Sequence, residues 1–249
     1  MSDSCCIRVI GGLGNQLFMI ATAFAYAKRF CKDLVIDDSM WFAGQGSHPN
    51  NYKSSIFKNF QFGDKPKDYT EVSEKRFNYN ELPCVEGNVV LSGYFQSLKY
   101  FEDSKDEFIS LLDIPVFVER KCRVAVHIRR GDYVTGAPDR HLICKTDYFE
   151  RQFERFDPQC VDVFTDSPDY VRNEFPHRDL NIISCKTDLD ELALMSQYST
   201  IICSNSSFSW WASMLGAPKY EIIVPDKWLI GVDCSDIYRS DMVIVKASI

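Results

Sequence analysis

The chain of 249 residues has the composition of an ordinary folded protein, with 45% hydrophobic and 25% charged residues, which excludes a disordered, collagen-like or coiled-coil protein. Its formal net charge at pH 7 is −7. Nucleic acids and anionic membranes bind basic surfaces, so we expect neither as the main partner. A single cationic cleft for a phosphorylated ligand is compatible with this charge.

The ten cysteines are scattered along the chain without a C-x-x-C pair, and several lie in apolar runs, such as Cys122, Cys185 and Cys203. Zinc sites use closely spaced Cys and His pairs, so we predict reduced, buried thiols and no metal site. The N-terminus lacks the basic and apolar segments of a signal peptide, and no window approaches the roughly 20 apolar residues of a membrane span. We therefore predict a cytoplasmic protein without a membrane span.

The first half of the sequence predicts a strand–helix–strand unit. An apolar run, Ile7–Ile10, ends at a glycine turn, and a helix over residues 15–30 follows with its apolar side chains at spacings of three and four. Asp33–Asp37 and Asn88–Gly93 are typical of strands, and Tyr94–Phe101 of a helix start. We predict that residues 41–85 form loops and short helices on the acceptor-facing wall.

The second half alternates more clearly between strands and helices. This alternation indicates a parallel sheet covered on both faces, so we predict an α/β fold of two Rossmann-like lobes, residues 1–118 and 119–249, with a cleft between them. Ligands bind such sheets beyond the carboxyl ends of the strands. The predicted strands are Arg123–Ile128, Val161–Thr165, Asn181–Ser184, Thr200–Cys203 and Ile222–Val224, and the predicted helices are Asp147–Phe156, Pro168–Phe175, residues 188–198 and Phe208–Leu215.

The strongest motif, Val126–Tyr133 (VHIRRGDY), contains the end of a predicted strand and the turn that follows it. Arginine is suited to bidentate contacts with phosphate oxygens, and its charge is permanent. Arg129 could therefore hold a diphosphate leaving group and stabilise the charge that develops on it. The alternative is a surface cluster of ion pairs among Arg129, Arg130 and Asp132.

A second motif, Ser204–Trp211 (SNSSFSWW), links a strand to a helix. Ser and Asn are good N-caps, and the free N–H groups of a helix start bind anions, so this turn could hold the same diphosphate; plain helix capping is the alternative. At least one of the adjacent Trp210 and Trp211 is expected in the core.

Three further segments give weaker signals. The glycine turn at residues 11–14 lacks the third glycine of a dinucleotide-binding motif. Asp166, after a predicted strand, could accept hydrogen bonds from a nucleoside or cap the next helix. Asp188-Leu189-Asp190 has the spacing of a metal-binding D-x-D motif, but with Glu191 we interpret it as an acidic helix start in which Asp188 is the N-cap.

Together these segments resemble glycosyltransferase family 11, the α-1,2-fucosyltransferases, over about residues 7–217. The central motif is also similar to the H-x-R-R motif of α-1,6-fucosyltransferases. The resemblance lies in IRVIGGLGNQLFMIATAFAYAKR (residues 7–29), LSGYFQSLKYF (91–101), VAVHIRRGDYV (124–134), VDVFTDSPDYV (161–171) and LALMSQYSTIICSNSSFSWWASML (192–215).

The resemblance implies a GT-B fold and inverting transfer of fucose from GDP-β-L-fucose to the 2-hydroxyl of a terminal galactose on a glycan acceptor, with no metal or other cofactor. Arg129 would be the main contact to the diphosphate, with His127 and Arg130 supporting it, and Asp132 is our candidate base with Asp139 as runner-up. The resemblance also places Asp166, Asp190 and Glu191 at the ribose and guanine, and Ser206 and Ser207 at the β-phosphate. Asn205 is a further candidate for donor binding, and Gly12, Asn15 and Gln16 would line the cleft.

Three alternatives stay open on the sequence. The enzyme could use another GDP-sugar or make another linkage, or the chain could be a nucleotide-binding module without catalysis. The Rossmann-like pattern also suggests an NAD(P)-dependent oxidoreductase, although the incomplete glycine motif disfavours it. Fold class by itself does not decide among these.

Overall fold

The computed structural model describes residues 2–39, 50–117, 124–136 and 139–247. The chain forms two units, one of Met1–Ile114 with Ser235–Tyr238 and the other of Pro115–Cys234 with Arg239–Ile249. The predicted lobe boundary between residues 118 and 119, together with Cys122 and the strand start at Arg123, lies outside the described residues.

The first unit is built on a four-stranded sheet in the order β2-β1-β4-β3, with every neighbouring pair parallel. Helix α1 packs on this sheet with a broad buried face, as its apolar spacing predicts. The elements of this unit are β1 (Ser4–Arg8), α1 (Leu13–Arg29), β2 (Asp33–Asp37), α2 (Asn50–Lys53), β3 (Thr70–Ser73), β4 (Val89–Ser92) and α3 (Lys105–Leu111), with 3₁₀ turns at Leu98–Tyr100, Glu102–Ser104 and Ser235–Ile237.

Three features of the first unit differ from the sequence prediction. Strand β1 begins at Ser4, before the predicted apolar run, and strand β3 lies within the segment predicted as loops and short helices. The predicted helix start at Tyr94 is wrong, because Phe95 has the left-handed φ of 51° and regular structure resumes only with the 3₁₀ turn at Leu98–Tyr100. The Glu74 carboxylate accepts hydrogen bonds from the backbone N–H groups of Tyr94 (2.9 Å) and Phe95 (2.9 Å), which fixes this turn.

The second unit is built on a six-stranded, all-parallel sheet in the order β10-β9-β8-β5-β6-β7, so β5 lies between β8 and β6. Its elements are β5 (Val124–Ile128), α4 (Gly131–Thr135), α5 (Thr146–Phe153), β6 (Val161–Thr165), α6 (Pro168–Glu174), β7 (Asn181–Ile183), α7 (Asp188–Met195), β8 (Thr200–Ile202), α8 (Ser207–Met214), β9 (Glu221–Pro225) and β10 (Met242–Val245), with a 3₁₀ turn at Pro158–Cys160.

The strands of the second unit could be predicted because its central strand is buried along its whole length and is therefore mostly apolar. All five residues of β5 are buried, as expected for a central strand covered on both faces. Trp210 and Trp211 are both fully buried. The prediction that Ile222–Val224 closes the series is wrong, because β10 follows and pairs with β9. The two α/β units with parallel sheets confirm the predicted fold class.

The described cysteines are all free thiols, but their burial differs. Cys31 and Cys84 are exposed and Cys160 and Cys185 are partly exposed, so the prediction of buried thiols holds only for the remaining five. No helix in the described ranges combines the length and the apolar character needed to cross a membrane.

Candidate anion-binding site at the carboxyl end of the second sheet

The predicted motifs of the second unit meet at one edge of its sheet. Strands β8, β5 and β6 are neighbours and run in the same direction, so the turns that follow them lie side by side. These turns are residues 129–131 after β5, residues 166–167 after β6 and residues 203–206 after β8. Crevices beyond the carboxyl ends of parallel strands are the usual ligand sites of such sheets.

Arg129 is the central charged group of this edge. Its guanidinium is bound on one side by Asp132, with Nη2 2.6 Å from Oδ1, and on the other by Asp166, with Nη1 2.9 Å from Oδ2. Burial by itself lowers the pKa of Arg129, but Asp166 and Asp132 outweigh it and raise the pKa overall. The guanidinium is therefore a permanent positive charge in a fixed orientation, with about a third of the side chain exposed.

Asp166 connects this guanidinium to the backbone. Its Oδ1 accepts hydrogen bonds from the Arg130 backbone N–H (2.9 Å) and from the Ser167 hydroxyl (3.2 Å). A Cβ atom at Gly131 would lie 2.5 Å from its Oδ2, so a larger residue at this position would require the carboxylate to shift. Asp166 therefore holds the turn after β5, and its expected contact with the nucleoside stays a prediction.

The Arg130 side chain points to a different partner. Its guanidinium carbon lies 3.8 Å from the ring centroid of Tyr170 on α6, a cation–π contact. Arg129 and Arg130 are therefore held separately, one by carboxylates and the other by an aromatic ring.

Ser204 joins the ends of β5 and β8. Its hydroxyl accepts a hydrogen bond from the Arg129 backbone N–H (3.0 Å) and donates one to the His127 carbonyl (2.7 Å), and the residue is fully buried. This bond pair fixes the backbone of Arg129 relative to the turn that leads into α8.

His127 is buried beneath this turn and is uncharged. Burial, followed by the positive charge of Arg129, lowers the pKa of His127 to about 3, against the opposing effect of Asp166. Its ring centroid is 5.6 Å from that of Phe208, and among the described residues its Nδ1 has no hydrogen-bond partner. Any support that His127 gives to a diphosphate therefore comes from a neutral imidazole.

The start of α8 has the predicted cap. Ser206 is the N-cap, and its Oγ accepts a hydrogen bond from the Phe208 backbone N–H (3.3 Å). The side chain of Asn205 is buried, where its Nδ2 donates to the Trp228 carbonyl (2.8 Å). Asn205 therefore shapes the turn, and a helix start of this kind offers backbone N–H groups and a positive dipole end to an anion.

The acidic residues of α7 lie in its first turn. Thr187 is the N-cap, and its hydroxyl accepts a hydrogen bond from the Asp190 backbone N–H (3.0 Å), so our assignment of Asp188 as the cap is wrong by one residue. No group of three or more His, Cys, Asp or Glu side chains suited to a metal occurs in the described parts of the chain.

Glu191 belongs to the same electrostatic environment as Arg129. Burial, then the negative charges of Asp188 and Asp166, raises the pKa of Glu191 to about 7. The positive charge of Arg129 opposes this shift. A carboxyl group with such a pKa is partly protonated near neutral pH, so it can donate as well as accept a hydrogen bond.

The remaining predicted site residues lie apart from this edge. Gly12 is the N-cap of α1 in the first unit, and Asn15 and Gln16 lie in the first turn of this helix. Gln16 is fully buried, and its amide donates to the Gly11 carbonyl (2.8 Å). The Gln96 amide donates to Asn15 Oδ1 (2.7 Å). Asp139 is exposed in a turn of the second unit.

Three residues with clear roles at this edge were absent from the predicted site, namely Gly131, Tyr133 and Ser204. All three lie inside the two strongest motifs, so their closeness in sequence to Arg129 or to Ser206 could have identified them. Tyr133 donates its hydroxyl hydrogen to the Asn205 carbonyl (3.0 Å), a contact that sequence spacing does not reveal.

The arrangement suits a ligand that carries concentrated negative charge. A fixed guanidinium and the amino end of α8 lie at adjacent turns, and both stabilise negative charge. When a bond to a diphosphate breaks, such groups can stabilise the charge that appears on the leaving oxygen.

The chain is similar in sequence to known glycosyltransferases. The sequence profile of Glycosyl transferase family 11 matches residues 4–229. The chain is 26% identical over 282 residues to the O-antigen biosynthesis glycosyltransferase WbnK of Escherichia coli, covering 89% of this chain and 93% of the relative. It is 28% identical over 267 residues to an alpha-1,2-colitosyltransferase of Escherichia coli, covering 89% and 91%.

Two solved structures share the fold at low sequence identity. The fucosyltransferase NodZ from Bradyrhizobium aligns with a TM-score of 0.55 and 16% identity, covering 86% of this chain and 94% of NodZ. A variant of Arabidopsis thaliana FUT1 in complex with GDP aligns with a TM-score of 0.52 and 13% identity, covering 90% and 70%. These alignments confirm the predicted GT-B-like fold. Since the family profile spans most of the chain, the protein is a glycosyltransferase and belongs to Glycosyl transferase family 11.

Proposed function

We propose that this protein transfers fucose from GDP-β-L-fucose to the 2-hydroxyl of a terminal galactose on a glycan acceptor, with inversion to an α-1,2 linkage and without a metal. The observation that carries the proposal is Arg129, held between Asp132 and Asp166 beside the amino end of α8. This pair of positive elements matches the diphosphate of a nucleotide-sugar donor.

On the donor side, Arg129 contacts the diphosphate and the N–H groups at Ser206 and Ser207 bind its β-phosphate. Asp190 and Glu191, in the first turn of α7, face the ribose and guanine. The fold shared with a FUT1 variant that was solved with GDP supports a guanosine diphosphate donor.

The reaction inverts the anomeric centre in one displacement. The acceptor oxygen forms a bond to the anomeric carbon on the face opposite the diphosphate. The bond from that carbon to the β-phosphate oxygen breaks, and its electron pair leaves with GDP. Arg129 and the α8 amides stabilise the negative charge on the departing GDP. Because they supply positive charge where it develops, we expect transfer to proceed without a divalent cation.

The acceptor hydroxyl loses its proton during the displacement, and a carboxylate near the site is the natural base. Asp132 is our first candidate, since it lies beside Arg129 and about half of its side chain is exposed. Asp139, also exposed in the same unit, is the second.

The first unit supplies the acceptor side of the proposal. Gly12 is the N-cap of α1, the helix that follows β1, and Asn15 lies in the first turn of that helix. Ligands bind parallel sheets beyond the carboxyl ends of their strands. The buried Gln16 supports this turn from within through its bond to Gly11.

Colitose is a second candidate for the transferred sugar. The observation in its favour is the 28% identity to an alpha-1,2-colitosyltransferase over 89% of this chain. Colitose is fucose without the 3-hydroxyl group, so the two donors present the same diphosphate and differ at one sugar position.

The test is release of GDP from GDP-fucose, with and without lactose or N-acetyllactosamine, in the presence of excess EDTA. Acceptor-dependent release that persists in EDTA supports metal-independent transfer, and NMR of the product identifies the linkage. Faster release from the colitose donor would favour the second sugar. Binding of GDP-fucose without release to any acceptor would favour a non-catalytic binding module, and no binding would overturn the proposal.

A further inference from the structure

Tyr133 lies at the junction of the segments that form the candidate site. It follows Arg129 by four residues, and the Arg129 guanidinium carbon lies 5.6 Å from the centroid of the Tyr133 ring. Its hydroxyl donates to the backbone carbonyl of Asn205 (3.0 Å). One side chain therefore contacts both the arginine and the turn that opens α8.

The ring of Tyr133 also contacts a second aromatic side chain. The rings of Tyr133 and His141 stack with centroids 4.0 Å apart and planes 9° apart. The backbone of His141 forms a bridge with Leu229. The Asn205 amide donates to the carbonyl of the preceding residue, Trp228 (2.8 Å).

These contacts form a closed circuit around the ring. The Tyr133 hydroxyl bonds to Asn205, and the Asn205 amide bonds to Trp228. The next residue, Leu229, pairs through its backbone with His141, whose ring stacks on Tyr133. A side chain bound on so many sides has little rotational freedom, so its position is determined by the fold.

We infer that Tyr133 is a positioning residue, which sets the distance and orientation between the Arg129 guanidinium and the amino end of α8 so that both bind the same diphosphate. The inference rests on the proposed function, because it assigns Tyr133 a role through Arg129. The phenol ring limits the movement of the guanidinium, and the hydroxyl fixes the turn at Asn205. A diphosphate bound by two elements at once requires both to stay within hydrogen-bond reach.

The experiment measures GDP affinity by calorimetry in four proteins: the unmodified chain, Tyr133→Phe, Arg129→Ala and the double variant. Tyr133→Phe keeps the ring stack and removes only the hydroxyl. We expect it to weaken GDP binding about tenfold, as for the loss of one partly buried hydrogen bond that orders a site. If Tyr133 acts through Arg129, the same change in the Arg129→Ala background has a much smaller effect.

The matched control is Tyr148→Phe. Tyr148 is fully buried and donates its hydroxyl hydrogen to the Cys203 carbonyl (2.9 Å), two residues before Asn205. We expect this variant to bind GDP like the unmodified chain, even where its stability is lower. The positioning role would be overturned if Tyr133→Phe lowered GDP affinity by the same factor with and without Arg129. It would also be overturned if Tyr148→Phe lowered GDP affinity as much as Tyr133→Phe does. Either result would leave the proposed function intact. Absence of GDP binding by the unmodified chain would overturn both.

Discussion

At the scale of single residues, the site depends on how charges are paired. An exposed arginine that forms an ion pair contributes little to stability, and the sequence was compatible with such a surface cluster. Arg129 differs because two carboxylates from different parts of the chain bind opposite sides of its guanidinium. Its orientation is fixed before any ligand arrives, which is the condition for effective electrostatic stabilisation of a transition state.

Replacing Arg129 tests this assignment directly. We expect Arg129→Ala to lower kcat by at least about 10²-fold, because it removes a charge-assisted contact to the leaving group. Arg129→Lys should also be impaired, since lysine cannot form the two-sided contact to Asp132 and Asp166. The control is Arg172→Ala, which removes an exposed arginine paired with Asp169 on α6. Near-normal turnover by folded Arg129→Ala would contradict the proposed chemistry.

The identity of the base is a second prediction at this scale. If Asp132 accepts the hydroxyl proton, Asp132→Asn lowers kcat by about 10²-fold and removes the acid limb of the pH profile of kcat/KM. Asp169→Asn, which changes an exposed carboxylate on α6, serves as the control. Loss of the acid limb in Asp139→Asn and not in Asp132→Asn would transfer the role to Asp139. A retained acid limb in both variants would mean that neither is the base.

At the scale of elements, turns fixed by side chains depart most from the sequence pattern. The residues after β4 have the aromatic character of a helix start, yet they form a turn with φ of 152° at Gly93 and 51° at Phe95. Glu74, just after β3, binds both amides of this turn. Left-handed backbone at a non-glycine residue costs energy, so these hydrogen bonds offset the cost.

This turn gives the first unit a predicted pH dependence. Burial raises the pKa of Glu74 to about 7 from an ordinary 4.5, although the two amide hydrogen bonds oppose the shift. Because this pKa is higher in the folded than in the unfolded state, protonation of Glu74 stabilises the fold. This contribution to the free energy of unfolding is complete below pH 4.5 and is lost as the pH rises through about 7. We therefore expect Glu74→Gln to lose less stability than the unmodified chain between pH 5 and pH 8.

The measurement is the melting temperature of both proteins across that pH range. The two proteins are compared by how steeply the melting temperature changes with pH. The glutamine also changes one hydrogen bond, which shifts the melting temperature at every pH. Glu81→Gln, an exposed carboxyl in the same unit, should leave the slope unchanged. Identical slopes for Glu74→Gln and the unmodified chain would contradict the assignment.

At the scale of the whole molecule, the residues that we propose to bind the diphosphate and the nucleoside all lie in the second unit. We expect GDP to slow hydrogen exchange in the segments that follow β5 and β8, at residues 129–136 and 204–209, because a ligand that binds only the folded state suppresses local opening. Mass spectrometry of exchange with and without GDP measures this. Inosine diphosphate is the control for the guanine contact, and protection confined to the first unit would contradict the assignment.

Much of this organisation could be predicted from local patterns. The alternation of strands and helices was visible in the apolar runs of β5, β6 and β8 and in the apolar face of α1. Strands that are buried on both faces are continuous hydrophobic runs in the sequence. Strands β3 and β10 were missed. Both carry exposed residues, because each lies at the edge of its sheet, and their patterns are correspondingly weak.

The sequence by itself determined the α/β class, the family and the two motifs to which we assign the chemistry, because these depend on residue type and on periodicity over a few positions. The tertiary structure decided how the motifs combine. Arg129 meets Asp166 from the next strand and Ser204, which lies 75 residues away in the chain, and His127 loses its charge through burial. Such contacts depend on which strands become neighbours, and strand order is set by packing of the whole sheet rather than by any local stretch of sequence.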